Sequence, residues 1–211
     1  PCVRACDAKA ISIDINTKKA LISDEKCIQC GSCVYHCPFG AIMDKSSIVD
    51  VIKLIKGNKA NNTYAIITPA IASQFPSVSI GQIFTAIKKL GFTEVLEVAL
   101  GADIIAHYEA HQVQHEIETL EWMTTSCCPA FVSYIKKNHP EVVNHDSKAV
   151  SPMIASAKLI KKTNPDANIV FIGPCTAKKA EIHEPDLEGI VDYVLTFEEL
   201  QALIDSREIV I

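Results

Sequence analysis

The stretch "CIQCGSCVYHCP" sets cysteines at positions 27, 30, 33 and 37 and follows the last with a proline. Thiols this close along the chain cannot be spread through a hydrophobic core. The backbone between them has to curl until their sulfurs converge on one centre. A structural zinc site ordinarily brings two separated C-x2-C arms together. The tighter run C-x2-C-x2-C-x3-C-P is instead the spacing that wraps thiolates around a 4Fe-4S cubane. A chain committed to such a centre folds this part as a small, loop-rich module around metal.

The chain carries nine cysteines in 211 residues. In a reducing compartment an odd set of thiols serves metal or redox chemistry rather than a disulfide framework, so a cytoplasmic location is expected. "PCVRACDAKA" shows no apolar stretch after a basic start and does not read as a secretory signal. No apolar run approaches the roughly 18 residues of a membrane span, and no span is expected. The net charge of −5 comes without a basic stripe to track phosphates, so nucleic acid is not an expected partner.

Six of the nine cysteines fall in residues 1–45. Two short β-like runs there, Ile11–Ile15 and Ala20–Ser23, flank a polar turn. From Ser46 the pattern changes. "SSIVDVIKLIKG" offers a serine N-cap, apolar residues at helical spacing and Gly57 as a stop. "NKANN" reads as a loop before the strand "YAIIT". The periodicity then predicts a helix over 79–90 closed by Gly91, a strand over 93–99 and a long helix from Ala102 to Leu120. Helices over 130–138 and 151–162 follow, then buried strands at "NIVFIG" and "GIVDYVL" and a helix at "FEELQALID". Strands alternating with helices predict an α/β domain over residues 46–211, with a mostly parallel sheet flanked by helices. It stands behind a small α+β iron–sulfur module, residues 1–45.

The run at 27–37 resembles the cluster-binding motif of bacterial ferredoxins. In that motif three closely spaced thiolates hold one cubane and the fourth ligates the other cluster of a pair. "PCVRAC" supplies Cys2 and Cys6, similar to the second half of such a motif, with Asp7 where the proline would stand. By this resemblance Cys6, Cys27, Cys30 and Cys33 ligate one 4Fe-4S cluster in a ferredoxin-like module, and Cys2 and Cys37 are half the ligands of another. The missing first half implies that the numbering begins inside a longer protein. The alternative is a one-cluster module with spare thiols.

Three cysteines remain, and "TTSCCPAF" sets Cys127 and Cys128 side by side before Pro129. Consecutive Cα atoms stand about 3.8 Å apart, below the roughly 4.4–6.8 Å of an unstrained disulfide. No bond is expected between them, and two neighbouring thiols imply two tasks. "TSCCPAF" at 125–131 resembles the first active-site signature of the FeFe-hydrogenases, and "GPCTAKKAE" at 173–181 resembles the second. With the cluster module in front, the resemblance runs across essentially the whole chain. It implies an iron-only hydrogenase that interconverts H2 with protons and electrons at an H-cluster, a cubane joined to a two-iron unit with CO, CN and a bridging dithiolate. Its 4Fe-4S clusters would relay electrons to a redox partner such as ferredoxin or another electron-transfer subunit.

By the same resemblance Cys128 and Cys175 are cubane ligands, and Thr68 and Pro69 are further contacts to the cofactor. Cys127 is not a ligand but exchanges a proton with the bridging amine. Lys178 points its ammonium at a cyanide, while Lys179 fits a bare surface lysine better. Matching by spacing puts Glu109, Ser147 and Glu181 on the proton route, although Glu109 and Ser147 taken singly read equally as surface or capping residues. The sequence departs from the family's pattern at several places. Gln112 stands where a second glutamate of the route is expected, and an amide cannot relay a proton as a carboxylate does. Phe131 replaces a usual tryptophan, Gly173 a usual methionine, and Met153 a glutamine expected near a diatomic ligand. These changes imply a divergent subgroup. The family's third signature, which carries further cysteines, does not occur, so the sequence is expected to stop inside the protein. Two other readings share these residues. One is a non-catalytic iron–sulfur relative of the cluster-assembly and prelamin-binding type, which generally lacks the counterpart of Cys127. The other is a ferredoxin-type electron carrier with an appended α/β domain, which the signatures at 125 and 173 disfavour.

Overall fold

The computed structural model describes residues 1–57 and 62–211. All of the expected loop "NKANN" except Asn62 lies outside the described residues. The N-terminal module rests on an antiparallel hairpin of β1 (Ile11–Ile13) and β2 (Ala20–Ile22), with Ile11 opposite Ile22. Asp14 closes the turn and ends β1 earlier than expected, because its carboxylate takes the N–H groups of Asn16 and Thr17. Those bonds, the Thr17 N–H above all, hold its carboxyl below the usual range. The cysteine run contains one helical turn, α1 (Ser32–Tyr35), too short for a periodic pattern to reveal.

Beyond the module, α2 (Ile48–Lys56) runs from Ser47 to Gly57 as the pattern predicts. There follow β3 (Thr63–Ile67), the short α3 (Ile71–Gln74), α4 (Ile80–Leu90), β4 (Glu94–Glu97) and α5 (Ala99–Leu120). Next come α6 (Pro129–Asn138), a 3-10 turn over Pro140–His145, α7 (Pro152–Thr163) and β5 (Asn168–Ile172). The chain closes with α8 (Ala177–Glu181), β6 (Tyr193–Leu195) and α9 (Phe197–Ser206). Helix α5 starts earlier than expected because Val98 already serves as its N-cap. Strand β6 uses only the end of "GIVDYVL", since the Asp192 carboxylate is occupied in accepting from the N–H of Ile169.

The four strands β4-β3-β5-β6 form a wholly parallel sheet in that order. Ala65 and Ile67 of β3 pack into one layer with Ile83, Ile87 and Leu200, while Ile66 between them packs into the other with Ile154 and Ala157. Strand β5 alternates likewise, with Val170 and Ile172 against Ile169 and Phe171. A sheet covered on both faces explains why these strands read as unbroken apolar runs. Capping boxes at Ser79 with Gln82 and at Thr196 with Glu199 start α4 and α9. The chain winds from β3 to β4 on one side and then returns past β3 to β5 on the other. Winding therefore reverses between β3 and β5, and the crevice at the carboxyl ends of such a pair is where open α/β sheets bind ligands. Among the described residues, no helix is long and apolar enough to cross a membrane.

Candidate metal centres

Cys6, Cys27, Cys30 and Cys33 line one cavity of about 500 Å3, whose wall also holds Ala10, Ile11 and Ile22. Cys2 and Cys37 lie outside that lining. Gln29 and Gly31 take left-handed backbone at φ 57° and 78°, folding the loop back on itself. The N–H of Ala10 stands 3.2 Å from Cys6 Sγ and that of Gln29 3.4 Å from Cys27 Sγ. The N–H of Ala41 stands 3.3 Å from Cys37 Sγ. Bonds of this kind favour the thiolate and tune the potential of a cluster it binds. Around Cys37 they hold the thiol below its ordinary range, the N–H of Phe39 contributing most, whereas burial pushes the Cys33 thiol up. Four soft donors around one cavity, an apolar wall and N–H groups turned toward Cys6 and Cys27 fit a 4Fe-4S cubane, whose four irons spread the ligands wider than a single ion does; among the described residues no three such side chains close on one ion.

The second constellation gathers at the β3/β5 crevice. Thr68 and Pro69 follow β3 directly, and Gly173, Pro174 and Cys175 follow β5. The N–H of Thr68 donates to the Ile172 carbonyl at 3.1 Å, while its Oγ1 is buried without a partner. A buried orphan hydroxyl at a strand end is the kind of group a bound ligand satisfies. Gly173 has a packing cause, because a Cβ there would stand 2.6 Å from the Phe171 ring and 3.2 Å from Thr68 Cγ2. We expect Gly173→Ala to lower stability by about 1–3 kcal/mol through overpacking. Urea unfolding checks this, and an unchanged midpoint would mean that the ring moves aside freely. Met153 is 1% exposed and packs in one hydrophobic layer with Ile66, Ile154 and Phe171. Phe131 is exposed.

The double cysteine is held by strand-like pairing. The Thr124 N–H donates to the His145 carbonyl at 2.8 Å, and the Ser147 N–H donates to the Thr124 carbonyl at 2.9 Å. Cys128 then serves as N-cap of α6 with Pro129 at its first position, where a missing N–H costs nothing. Cys127 and Cys128 are exposed and Cys175 is half-buried, and all nine cysteines are free. Cys127 Sγ lies 3.6 Å from the Thr125 hydroxyl. Lys178 joins the two signatures: its buried ammonium donates to the Cys127 carbonyl at 3.2 Å and to the Glu181 carboxylate at 2.7 Å. A buried charge has to be paired, and Glu181 supplies that pairing.

Ser147 is buried, and its hydroxyl donates to Gln112 Oε1 at 3.1 Å. The amide of Gln112 donates in turn to Glu116 at 3.1 Å, and Glu116 pairs with Lys148 at 3.1 Å. These contacts, the Gln112 amide first, hold the Glu116 carboxyl below the usual range. Glu116 is absent from the sequence-derived route. Its place one helical turn past Gln112, at spacing i,i+4, was the available signal. Glu109 has a buried Oε1 without a partner. Ser147 and Glu181 also line a second cavity of about 540 Å3 together with Ser126 and Ser151. Gln112→Glu would bury a carboxylate beside Glu116, and both burial and like charge raise its folded pKa. A raised carboxyl contributes stability below its unfolded pKa and loses it as pH rises. The deficit against the parent protein should therefore widen between about pH 4 and about pH 8, as thermal melts across that range would show. A flat difference would sink the burial argument.

The expectation of a bare surface lysine at 179 is overturned. Its side chain is 13% exposed and contacts Asp44 at 2.6 Å and Glu199 at 2.8 Å. A surface reading follows from composition alone; both partners are remote in sequence.

Residues 61–211 match the family profile described as iron only hydrogenase large subunit, C-terminal domain, and residues 20–43 match the 4Fe-4S binding domain. The chain is 34% identical over 143 residues to iron hydrogenase 1 of Clostridium pasteurianum, covering 61% of this chain and 25% of that protein. It is 30% identical over 246 residues to the periplasmic Fe hydrogenase large subunit of Nitratidesulfovibrio vulgaris, covering 89% and 58%. It is also 28% identical over 216 residues to the cytosolic Fe-S cluster assembly factor NAR1 of Debaryomyces hansenii, covering 89% and 39%. The chain thus spans between a quarter and three fifths of the length of these relatives.

Proposed function

We propose a function from the premise that the chain belongs to the iron-only hydrogenase large-subunit family: the complete protein interconverts H2 with protons and electrons. One observation carries the reading. Lys178 of the second signature grips the backbone of Cys127 in the first, which gathers both signatures beside one crevice. Cys128 and Cys175 are the residues that would hold an H-cluster there, with Thr68 and Pro69 beside it. When bound, that group supplies the two-electron chemistry of making or splitting H2. Cys127 holds and moves a proton at Sγ, a task for which a thiol suits because it ionises at modest cost near neutrality. Lys178 contributes a fixed positive charge in a buried setting, where such charges act most strongly. Ser147, Glu109 and Glu181 serve proton passage, and the Ser147–Gln112–Glu116 chain interrupts it with an amide.

Cys6, Cys27, Cys30 and Cys33 are the residues that would hold a 4Fe-4S cluster in the module, and that cluster would supply a one-electron relay toward the crevice. The Thr176 hydroxyl, next to Cys175, donates to the Gln29 carbonyl at 3.2 Å, beside Cys30. Gly31 lies so close that a Cβ would stand 2.6 Å from the Thr176 hydroxyl. The outside partner is a ferredoxin or another electron-transfer subunit in the cytoplasm. A second reading, cluster binding without turnover, is supported by the likeness to the assembly factor. Anaerobic H2 assays on the complete, matured protein, run beside infrared spectra of the CO and CN ligands, separate the two. Turnover with those bands supports the hydrogenase, and iron–sulfur clusters with neither leave the assembly-type reading. The 211-residue chain itself, reconstituted anaerobically, should bind about four irons, one cubane. A reproducible value near twelve would overturn this ligand assignment.

A further inference from the structure

Lys178 and Lys179 are consecutive on α8, so their side chains leave the helix about 100° apart. The first serves the crevice and the second faces the cluster module. The Lys179 ammonium donates to Glu199 Oε2 at 2.8 Å and to the Lys45 carbonyl at 3.0 Å. It also stands 2.6 Å from Asp44 Oδ2, an ion-pair contact outside hydrogen-bond alignment. Glu199 is itself fully engaged, since Oε2 accepts from the Thr196 N–H at 2.8 Å and Oε1 from the Ser47 N–H at 3.1 Å. The site thus ties the segment leaving the cluster module, Asp44 to Ser47, to α8 and to the start of α9. Lys179 also lines the cavity that holds Cys6, Cys27, Cys30 and Cys33. A second tie comes from Lys137 at the end of α6, whose ammonium donates to the carbonyls of Asp24 at 2.9 Å and Cys27 at 2.6 Å.

We propose that Lys179, clasped by Asp44 and Glu199, is a positioning residue that locks the cluster module onto the α/β domain, with Lys137 as the second fastening. The clasp fixes the approach of the Cys30 loop to the Thr176–Gln29 contact; its role in electron delivery rests on the hydrogenase reading, but the docking does not. Without the ammonium, two carboxylates face each other in a site where Glu199 is 11% and Asp44 30% exposed, and like charges there repel.

The test uses the complete protein with its clusters assembled, as parent, Lys179→Met and Lys179→Arg. Hydrogen exchange at the amides of Ser47 and Thr196, both held by Glu199, reads the clasp without any activity. Breaking one partner of a buried pair should speed exchange at Ser47 roughly 10²-fold in Lys179→Met, while Lys179→Arg stays within about tenfold of the parent because the charge is kept. Iron content should remain that of the parent. Reduction of the crevice-side centre by electrons entering through the module should slow in Lys179→Met and recover in Lys179→Arg. Unchanged exchange at Ser47 in Lys179→Met would overturn the clasp, as would equal loss in both variants. If Lys179→Met fails to fold, Asp44→Asn gives the same exchange readout, and an unchanged Ser47 amide there overturns the clasp as well. Faster exchange in a protein that shows no H2 turnover would retain the clasp and remove the hydrogenase reading.

Discussion

In the complete, matured protein, Cys127→Ala should keep its clusters and lose roughly 10²- to 10⁴-fold of its H2 turnover, the usual contribution of a positioned acid–base group. Cys128→Ala should instead lose or damage the crevice-side cubane, because a methyl cannot replace a thiolate ligand. The structure sharpens the contrast. Lys178 holds Cys127 by its carbonyl, not its thiol, so alanine at 127 leaves that bond in place. Cys128 is the N-cap of α6 and is fixed in extended backbone ahead of Pro129, so its neighbour cannot swing into its position. Anaerobic H2 evolution beside cluster spectroscopy on both variants gives the answer. Full activity in Cys127→Ala would end its proton role, and a reversed pair of phenotypes would mean that the two thiols are assigned the wrong way round.

The second large effect concerns Lys178. Its ammonium and the Glu181 carboxylate are 10% and 9% exposed at their side chains and 2.7 Å apart. Lys178→Met removes one partner and leaves the other buried and charged, which should lower stability by about 3–5 kcal/mol. Lys178→Met combined with Glu181→Gln removes both charges and should recover most of that loss. In neither variant should CO and CN infrared bands develop at parental intensity, because the fixed charge is gone in both. Chemical unfolding of the two variants separates the structural cost from the functional one. A Lys178→Met protein as stable as its parent, with bands intact, would mean that the lysine is merely solvated.

Much of this was legible because local chemistry is written locally. The cysteine run, the two signatures and the unbroken apolar runs of β3 and β5 need only neighbours along the chain to be read. Thr196 and Glu199 also announce α9, because a capping box closes within three residues. What stayed hidden depends on partners far apart in sequence. Lys179 meets Asp44 and Glu199, and Ser147 meets Gln112 across 35 positions; no window along the chain holds both halves. The short α1, α3 and α8 were hidden for a different reason, since four or five residues do not complete enough turns to display a period. Gly173 illustrates a third kind of illegibility. As a departure from the family's pattern it looks like a change of chemistry, and only the Phe171 ring beside it shows a change of packing.

Helix α6 begins just after its N-cap Cys128, next to the Cys127 carbonyl that Lys178 holds, and ends near Lys137, which grips the carbonyl of Cys27 in the cluster module. Its length is therefore a gauge between the double cysteine and the cluster module. Adding or deleting a single residue would rotate Lys137 by about 100° and shift it about 1.5 Å, turning the ammonium away from both carbonyls. Changes of a whole turn would restore the direction but lengthen the spacing by about 5 Å. Length variation along this chain is thus expected in the connecting loops and not in α6, whose residue count and Lys137 together set the span.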